Sequence, residues 1–141
     1  MNDELVAGCQ LLDLAVRGDD RGSLIALECG NPVGFPIERV YYIFGTNPGV
    51  SRGFHGHRTL RQIAVCVAGA CTLLLDDGHS RIETRLDDPS KAVSIGPMIW
   101  REIHDFTPDC VLMVLASQRY NEGDYLRSYD DFRAAVAFRD R

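Results

Sequence analysis

In the stretch SRGFHGHRTLRQ, residues 51–62, His55 and His57 flank a single glycine and lie between Arg52 and Arg58. Side chains two apart on an extended strand point to the same face, so the pair is placed either to hold a divalent metal or to move protons. Histidine's ordinary pKa of about 6.5 lets it take up and return a proton near neutrality. Two neighbouring imidazoles also oppose each other's charging, which keeps one available as a base. A metal would need further ligands. Gln62 brings no charge to neutralise a cation and is an uncommon ligand for transition metals. The strand GPMIWREI, residues 96–103, offers Glu102 but no histidine. Two firm ligands and one carboxylate make an incomplete site. Free imidazoles are therefore the favoured reading, with no metal and no other cofactor expected.

The elements that must position these residues read as strands. Apolar residues recur at a spacing of two in RQIAVCVAG (61–69), with Ile63, Val65 and Val67 on one face and Gln62, Ala64 and Cys66 on the other. SLIALE (23–28), ERVYYIF (38–44), AVSIGPMIWREI (92–103) and DCVLMVLAS (109–117) add strand-like runs, and ACTLLLDDGHSRIETRL (70–86) reads as a hairpin about Asp77-Gly78. Many short strands between turn signals predict an all-β sandwich or jelly roll. Only the tail departs. SYDDFRAAVAFRD opens with Ser128 and Asp131 in a capping-box pattern and sets Phe132, Ala135 and Val136 on one face, which predicts a short C-terminal helix.

Composition narrows the function classes. A chain of 141 residues suits one domain, residues 1–141. Net charge is −5 and Lys91 is the only lysine, so no nucleic-acid footprint is present. No apolar run approaches the roughly 20 residues that span a bilayer, and the acidic start lacks a signal pattern; the expected location is cytoplasmic. Five cysteines, odd in number and never spaced CxxC, read as reduced, mostly buried thiols. Arginine carries almost all the positive charge and suits bidentate binding of phosphate.

A His-x-His pair in a small jelly roll resembles the first motif of the cupin superfamily. Taken together, ERVYYIF, SRGFHGHRTLRQIAVCVAG, LLLDDG, IGPMIWREIHDFTPDCVLMVLAS and YNEGDYLRSYDDF resemble the sugar 3,4-ketoisomerases that act on dTDP-4-oxo-6-deoxyglucose, over nearly the whole chain. Gly56 departs from the alanine that this family commonly has between its histidines. The resemblance implies a cupin jelly-roll barrel, a homodimer that exchanges N-terminal strands, and no metal. It implies movement of a ketone from C4 to C3 of a dTDP-linked 6-deoxyhexose, ahead of transamination to a 3-amino sugar for surface polysaccharide or glycosylated natural products. His55 matches the family's base, His57 is its relay or partner, and Tyr41 resembles the tyrosine beside the reacting sugar. Arg52 and Arg101 are the expected diphosphate clamps, with Arg21 reaching toward the sugar or phosphates. Arg21 and Arg101 are also the positions expected to bear on which face of the enediolate is reprotonated. Gln62 is expected to hydrogen-bond the histidines or sugar hydroxyls, and Trp100 to pack in the core and wall the pocket. Asp124, Tyr120 and Tyr129 read as structural, and Asp76 and Asp77 as turn residues. The competing readings are a 3,5-epimerase of the same sugar class, a metal-dependent cupin enzyme using His55, His57 and Glu102, and a non-catalytic sugar-binding cupin.

Overall fold

The computed structural model describes residues 3–141. Two antiparallel sheets pack face to face. The first runs in the order β1 (Asp3–Glu4), β2 (Cys9–Asp13), β10 (Lys91–Ile95), β7 (Gln62–Ala68), β12 (Val111–Ala116) and β5 (Arg39–Ile43). The second runs β13 (Tyr125–Leu126), β6 (Arg52–His57), β11 (Trp100–His104), β8 (Cys71–Asp76) and β9 (Arg81–Leu86). A separate hairpin joins β3 (Arg17–Asp19) to β4 (Gly22–Leu24). Consecutive strands repeatedly cross between the sheets, the connectivity of a jelly roll. No helix among the described residues is long and apolar enough to cross a membrane.

The alternation read along β7 sets the layers. Ala64 and Cys66 turn inward to meet Leu73, Leu75, Val93, Leu112 and Val114 between the sheets. Ile63 and Val65 turn outward yet are buried, because Val33 and Phe35, with Ile25 and Leu27 beside them, lie across that outer face. This explains the run SLIALE. The strand ends at Leu24, and Ile25 and Leu27 continue as an irregular cover whose apolar residues meet the sheet without pairing at its edge. The segment 92–103 likewise divides into β10 and β11.

The tail folds as its sequence directs. Helix α1 (Tyr129–Arg139) begins after Ser128, whose Oγ accepts from Asp131 N at 3.3 Å. Its buried Phe132 and Val136 pack with Trp100, Leu74 and Leu126 against the outside of the second sheet. The hairpin β8–β9 turns at Asp77, whose Oδ1 accepts from His79 N and Ser80 N.

Candidate active site

Between the sheets, β6 brings the two histidines inward through a bulge. Gly53 (φ +89°) and Phe54 (φ +56°) are both left-handed, and the β6–β11 register shifts there, so that Arg101 pairs with His55 but Glu102 with Gly53. Glycine is needed at position 53 for space as well as for angle: a Cβ would sit 3.0 Å from Arg101 O. At Gly56 a Cβ would meet Phe132 Cδ1 at 3.1 Å, so this chain uses the space of the missing methyl to seat its helix closely on β6.

The imidazoles of His55 and His57 lie 4.9 Å apart, edge to face. His55 Nδ1 lies 3.0 Å from Gly53 O. A carbonyl only accepts, so Nδ1 carries the hydrogen and Nε2 is left as the basic nitrogen. His57 is almost fully buried, and neither of its ring nitrogens has a hydrogen-bond partner among the described residues. Its Nδ1 stands 3.3 Å from Asp124 Oδ2, out of line for a hydrogen bond. Burying polar atoms without hydrogen bonds costs free energy, a cost the nearby Asp124 carboxylate offsets only in part.

Beneath the histidines lies a buried cation. Arg101 is 4% exposed, and its hydrogen bonds end on uncharged oxygens, Ile99 O and Gln62 Oε1. Gln62 Nε2 in turn donates to the Tyr41 hydroxyl at 3.2 Å, leaving the Tyr41 proton free to be donated into the pocket. Burial, and then the Arg101 charge, push the His55 pKa down to about 4. The same two causes push His57 to about 2. Burial raises Tyr41, with Arg101 opposing. All three groups are therefore uncharged at neutral pH. If His55 is the essential base, kcat/KM should stay level from neutrality down to the neighbourhood of pH about 4 and fall below it. An acid limb at the ordinary histidine value would contradict this placement. Stability carries the matching sign. An unfolded histidine protonates near 6.5 and the folded one only near 4, so the unfolded chain binds more protons and stability falls as pH drops through that window.

The site opens through a cavity of about 330 Å³ lined by Tyr41, His55, Tyr125 and three arginines, Arg39, Arg52 and Arg127. That volume falls within the range of small-molecule sites, about 300–1,000 Å³. A smaller void of about 30 Å³ continues inward past His55, Gln62 and Arg101, room for one water or one substrate oxygen. A larger groove of about 660 Å³ along α1 passes Arg58 and Phe138 but neither histidine.

The structure places His55, Tyr41 and Arg52 on the cavity of about 330 Å³, Gln62 and Arg101 on the void behind it, and His57 buried against the His55 ring, and it leaves two expected residues elsewhere. Arg21 stands at the tip of the β3–β4 hairpin, bound to Asp19. Trp100 faces away from the cavity, packing on Tyr129 and Phe132. Strand alternation is the cause: with Arg101 inward, Trp100 and Glu102 must point outward. Glu102 accepts from Trp100 Nε1 at 2.9 Å and bonds His104, so the carboxylate that a His55–His57 metal site would need does not join the pair. Arg101, expected beside Arg52 as a diphosphate clamp, occupies the floor instead of the mouth.

Three residues, Tyr125, Arg127 and Arg39, escaped the sequence reading, which has Asp124 as structural. Tyr125 lies 5.0 Å from the His55 ring and 4.3 Å from that of His57, on a two-residue strand paired with β6. Arg127, of the same parity, lies over Tyr125 at 4.1 Å and is held by Glu122. Arg39 lies over Tyr41. Asp124 accepts from Thr59 N, Thr59 Oγ1 and Leu60 N, pinning the turn after His57. The signal available was the alternation Tyr125, Arg127 in NEGDYLRS, too short to read as a strand. Asp124→Ala should lower the unfolding free energy by ~3 kcal/mol, since the buried Leu60 N–H and the partly buried Thr59 N–H and hydroxyl lose a charged acceptor. Urea denaturation reads this, and an unchanged midpoint would contradict it.

Comparison with known proteins agrees with this geometry. The FdtA family, described as WxcM-like, C-terminal, matches residues 7–137. A TDP-4-oxo-6-deoxy-alpha-D-glucose-3,4-oxoisomerase from Aneurinibacillus thermoaerophilus is 50% identical over 119 residues, 84% of this chain and 86% of that one. The 3,4-ketoisomerase QdtA from Thermoanaerobacterium thermosaccharolyticum, solved as a histidine-to-asparagine variant with TDP-4-keto-6-deoxyglucose, superposes with a TM-score of 0.92 at 36% identity, covering 96% of this chain and 98% of that one. The TDP-quinovose 3,4-ketoisomerase WlaRB from Campylobacter jejuni gives 0.89 at 41% identity, covering 92% and 99%. With the fold, the inward histidine pair and this likeness over almost its whole length, the chain belongs to the WxcM-like FdtA family of cupin-fold sugar 3,4-ketoisomerases.

Proposed function

We propose that this chain moves the ketone of a TDP-linked 4-oxo-6-deoxyglucose from C4 to C3, with His55 as the base. One observation carries the reading: the bond from His55 Nδ1 to Gly53 O leaves a basic Nε2 on a ring that lines the cavity, above a buried arginine. The C3 hydrogen is acidic because it lies α to the C4 ketone. His55 Nε2 takes that proton, and the electron pair spreads onto O4 as an enediolate. The Tyr41 hydroxyl, with its oxygen tied to Gln62, donates to the developing oxyanion, and the Arg101 charge behind it stabilises the same negative charge. The proton on His55 exchanges with solvent through the open cavity, and His55 then delivers a proton to C4. The O3 proton passes to O4 through Tyr41 or His57, and the ketone now stands at C3. Arg101 disfavours the imidazolium, so the proton is returned readily. The mouth arginines Arg39, Arg52 and Arg127 suit a diphosphate.

The assembly belongs to the same proposal. The outer face of the six-stranded sheet exposes Val40, Tyr42 and Val67, beside an apolar groove of about 370 Å³ lined in part by Leu14, Ile25 and Met113. A second copy contributing its N-terminal hairpin would cover that face and form a homodimer, and would carry Arg21 on the tip of the exchanged segment. The enzyme works in the cytoplasm, and its 3-oxo product is the substrate type for transamination to a 3-amino sugar of a surface glycan.

The experiment supplies TDP-4-oxo-6-deoxyglucose to the purified protein and follows the sugar carbons by NMR. The expected product has its ketone at C3. A ketone that stays at C4 while configurations at C3 and C5 invert would make the chain an epimerase. Binding without any chemical change would make it a sugar-binding cupin.

A further inference from the structure

Three cysteines meet at the end of the barrel remote from the histidines. Cys66 lies on β7 four residues beyond Gln62, so about 13 Å further along the strand on the same inward face. Cys71 opens β8, and Cys110 immediately precedes β12. Their Sγ atoms all lie within 4.8 Å of one another, with Cys66 and Cys110 3.3 Å apart. Each is at most 1% exposed, and none is in a disulfide. Burial alone would explain a single cysteine as a small apolar residue. It does not explain why three elements deliver sulfur to one point.

The backbone closes tightly over that point. Gly69 turns with φ +63°, and a Cβ there would approach Cys110 Cα to 2.7 Å. The turn is tied down by Thr107 N to Ala70 O at 2.8 Å and by Ala70 N to Thr107 Oγ1 at 2.8 Å. The cluster therefore lies one turn of chain below the surface, and opening that turn gives access to it. Around a trigonal ion with metal–sulfur bonds of about 2.3 Å, the sulfurs stand about 4 Å apart. The Cys66–Cys110 pair stands closer than that, at 3.3 Å, and no pair exceeds 4.8 Å, so small movements of the sulfurs reach it.

We propose that Cys66, Cys71 and Cys110 form a three-thiolate site for one thiophilic d10 metal ion. Sulfur-only donors in an apolar setting select soft ions over magnesium or calcium. Binding a divalent ion forms three metal–sulfur bonds and releases three thiol protons, leaving one net negative charge. The Arg85 guanidinium, bonded to Thr72 Oγ1 at 2.9 Å on the outer face, acts on Cys66 through its charge and offsets part of it. Hydrogen bonding to Cys71, then burial, raises Cys66, and burial pushes Cys110 up to about 12, so a metal must displace protons from these two sulfurs. Affinity therefore increases with pH. The site is separate from the sugar chemistry and does not depend on it.

The test uses the full chain carrying Cys29→Ser, which removes the exposed thiol. The reduced protein is titrated with cadmium alone, and sulfur-to-metal charge-transfer absorption, bound metal and released protons are measured. One ion per chain with three protons is expected. Adding Cys71→Ser, or Cys71→Ala where the serine variant does not fold, should weaken binding by on the order of 100-fold or more. No charge-transfer band, or a band that survives the loss of Cys71, would overturn the proposal.

Discussion

Replacing His55 by asparagine is expected to lower kcat by on the order of 10³–10⁴, at the upper end of what a positioned base contributes, while the nucleotide still binds. The reasoning rests on what asparagine keeps and loses. Its amide is close in size and can still donate toward Gly53 O, so the bulge at Gly53–Phe54 survives. It has no basic nitrogen. His57 does not take over, because its ring is almost fully buried and held further below the ordinary histidine range, at about 2. Arg39, Arg52 and Arg127 are untouched, so affinity for TDP should change by no more than a few-fold. The paired measurements are steady-state turnover and calorimetric binding of TDP. Activity near that of the unaltered protein would remove His55 from the mechanism.

Arg101→Met separates activity from stability. The guanidinium is buried with no carboxylate in its hydrogen bonds, and an ion taken out of water costs several kcal/mol after relaxation. Methionine fills much of the volume without that cost, so the melting temperature should hold or rise even though the bonds to Ile99 O and Gln62 are lost. Turnover should fall by roughly 10²–10³, the usual effect of removing one oxyanion-stabilising group. The pH profile gives a third readout. Arg101 is the second cause, after burial, of the low His55 pKa, so its removal should move the acid limb of kcat/KM upward, short of the ordinary value because the ring remains buried. A variant that keeps its turnover and its acid limb would return Arg101 to a structural role.

Much of this site was legible because strand alternation fixes faces. From Gln62, Ala64 and Cys66 against Ile63 and Val65 follows which residues enter the barrel, and the same parity puts Tyr41 inward and leaves Tyr42 63% exposed. The capping pattern at Ser128 placed the helix. What the sequence withheld depends on which strands become neighbours. Tyr125 meets both imidazoles only because β13 pairs with the end of β6, a contact across almost 70 positions of chain that no local pattern encodes. The depth of Arg101 was hidden in the same way. An arginine in a strand reads as a phosphate ligand until the opposite, six-stranded sheet closes over it. The alternation that turned Arg101 inward also sent Trp100 to the helix and Glu102 to His104, and this could have been read from PMIWREI. Cys66 and Cys110 were legible as buried thiols, but their meeting with Cys71 was not.

The most direct test of proton transfer by His55 is where deuterium enters the sugar when turnover runs in heavy water. The account predicts deuterium at C4 of the 3-oxo product and at C3 of recovered substrate, none at C5, and no exchange in the His55→Asn protein. Exchange at C5, or label entering equally well without His55, would contradict it.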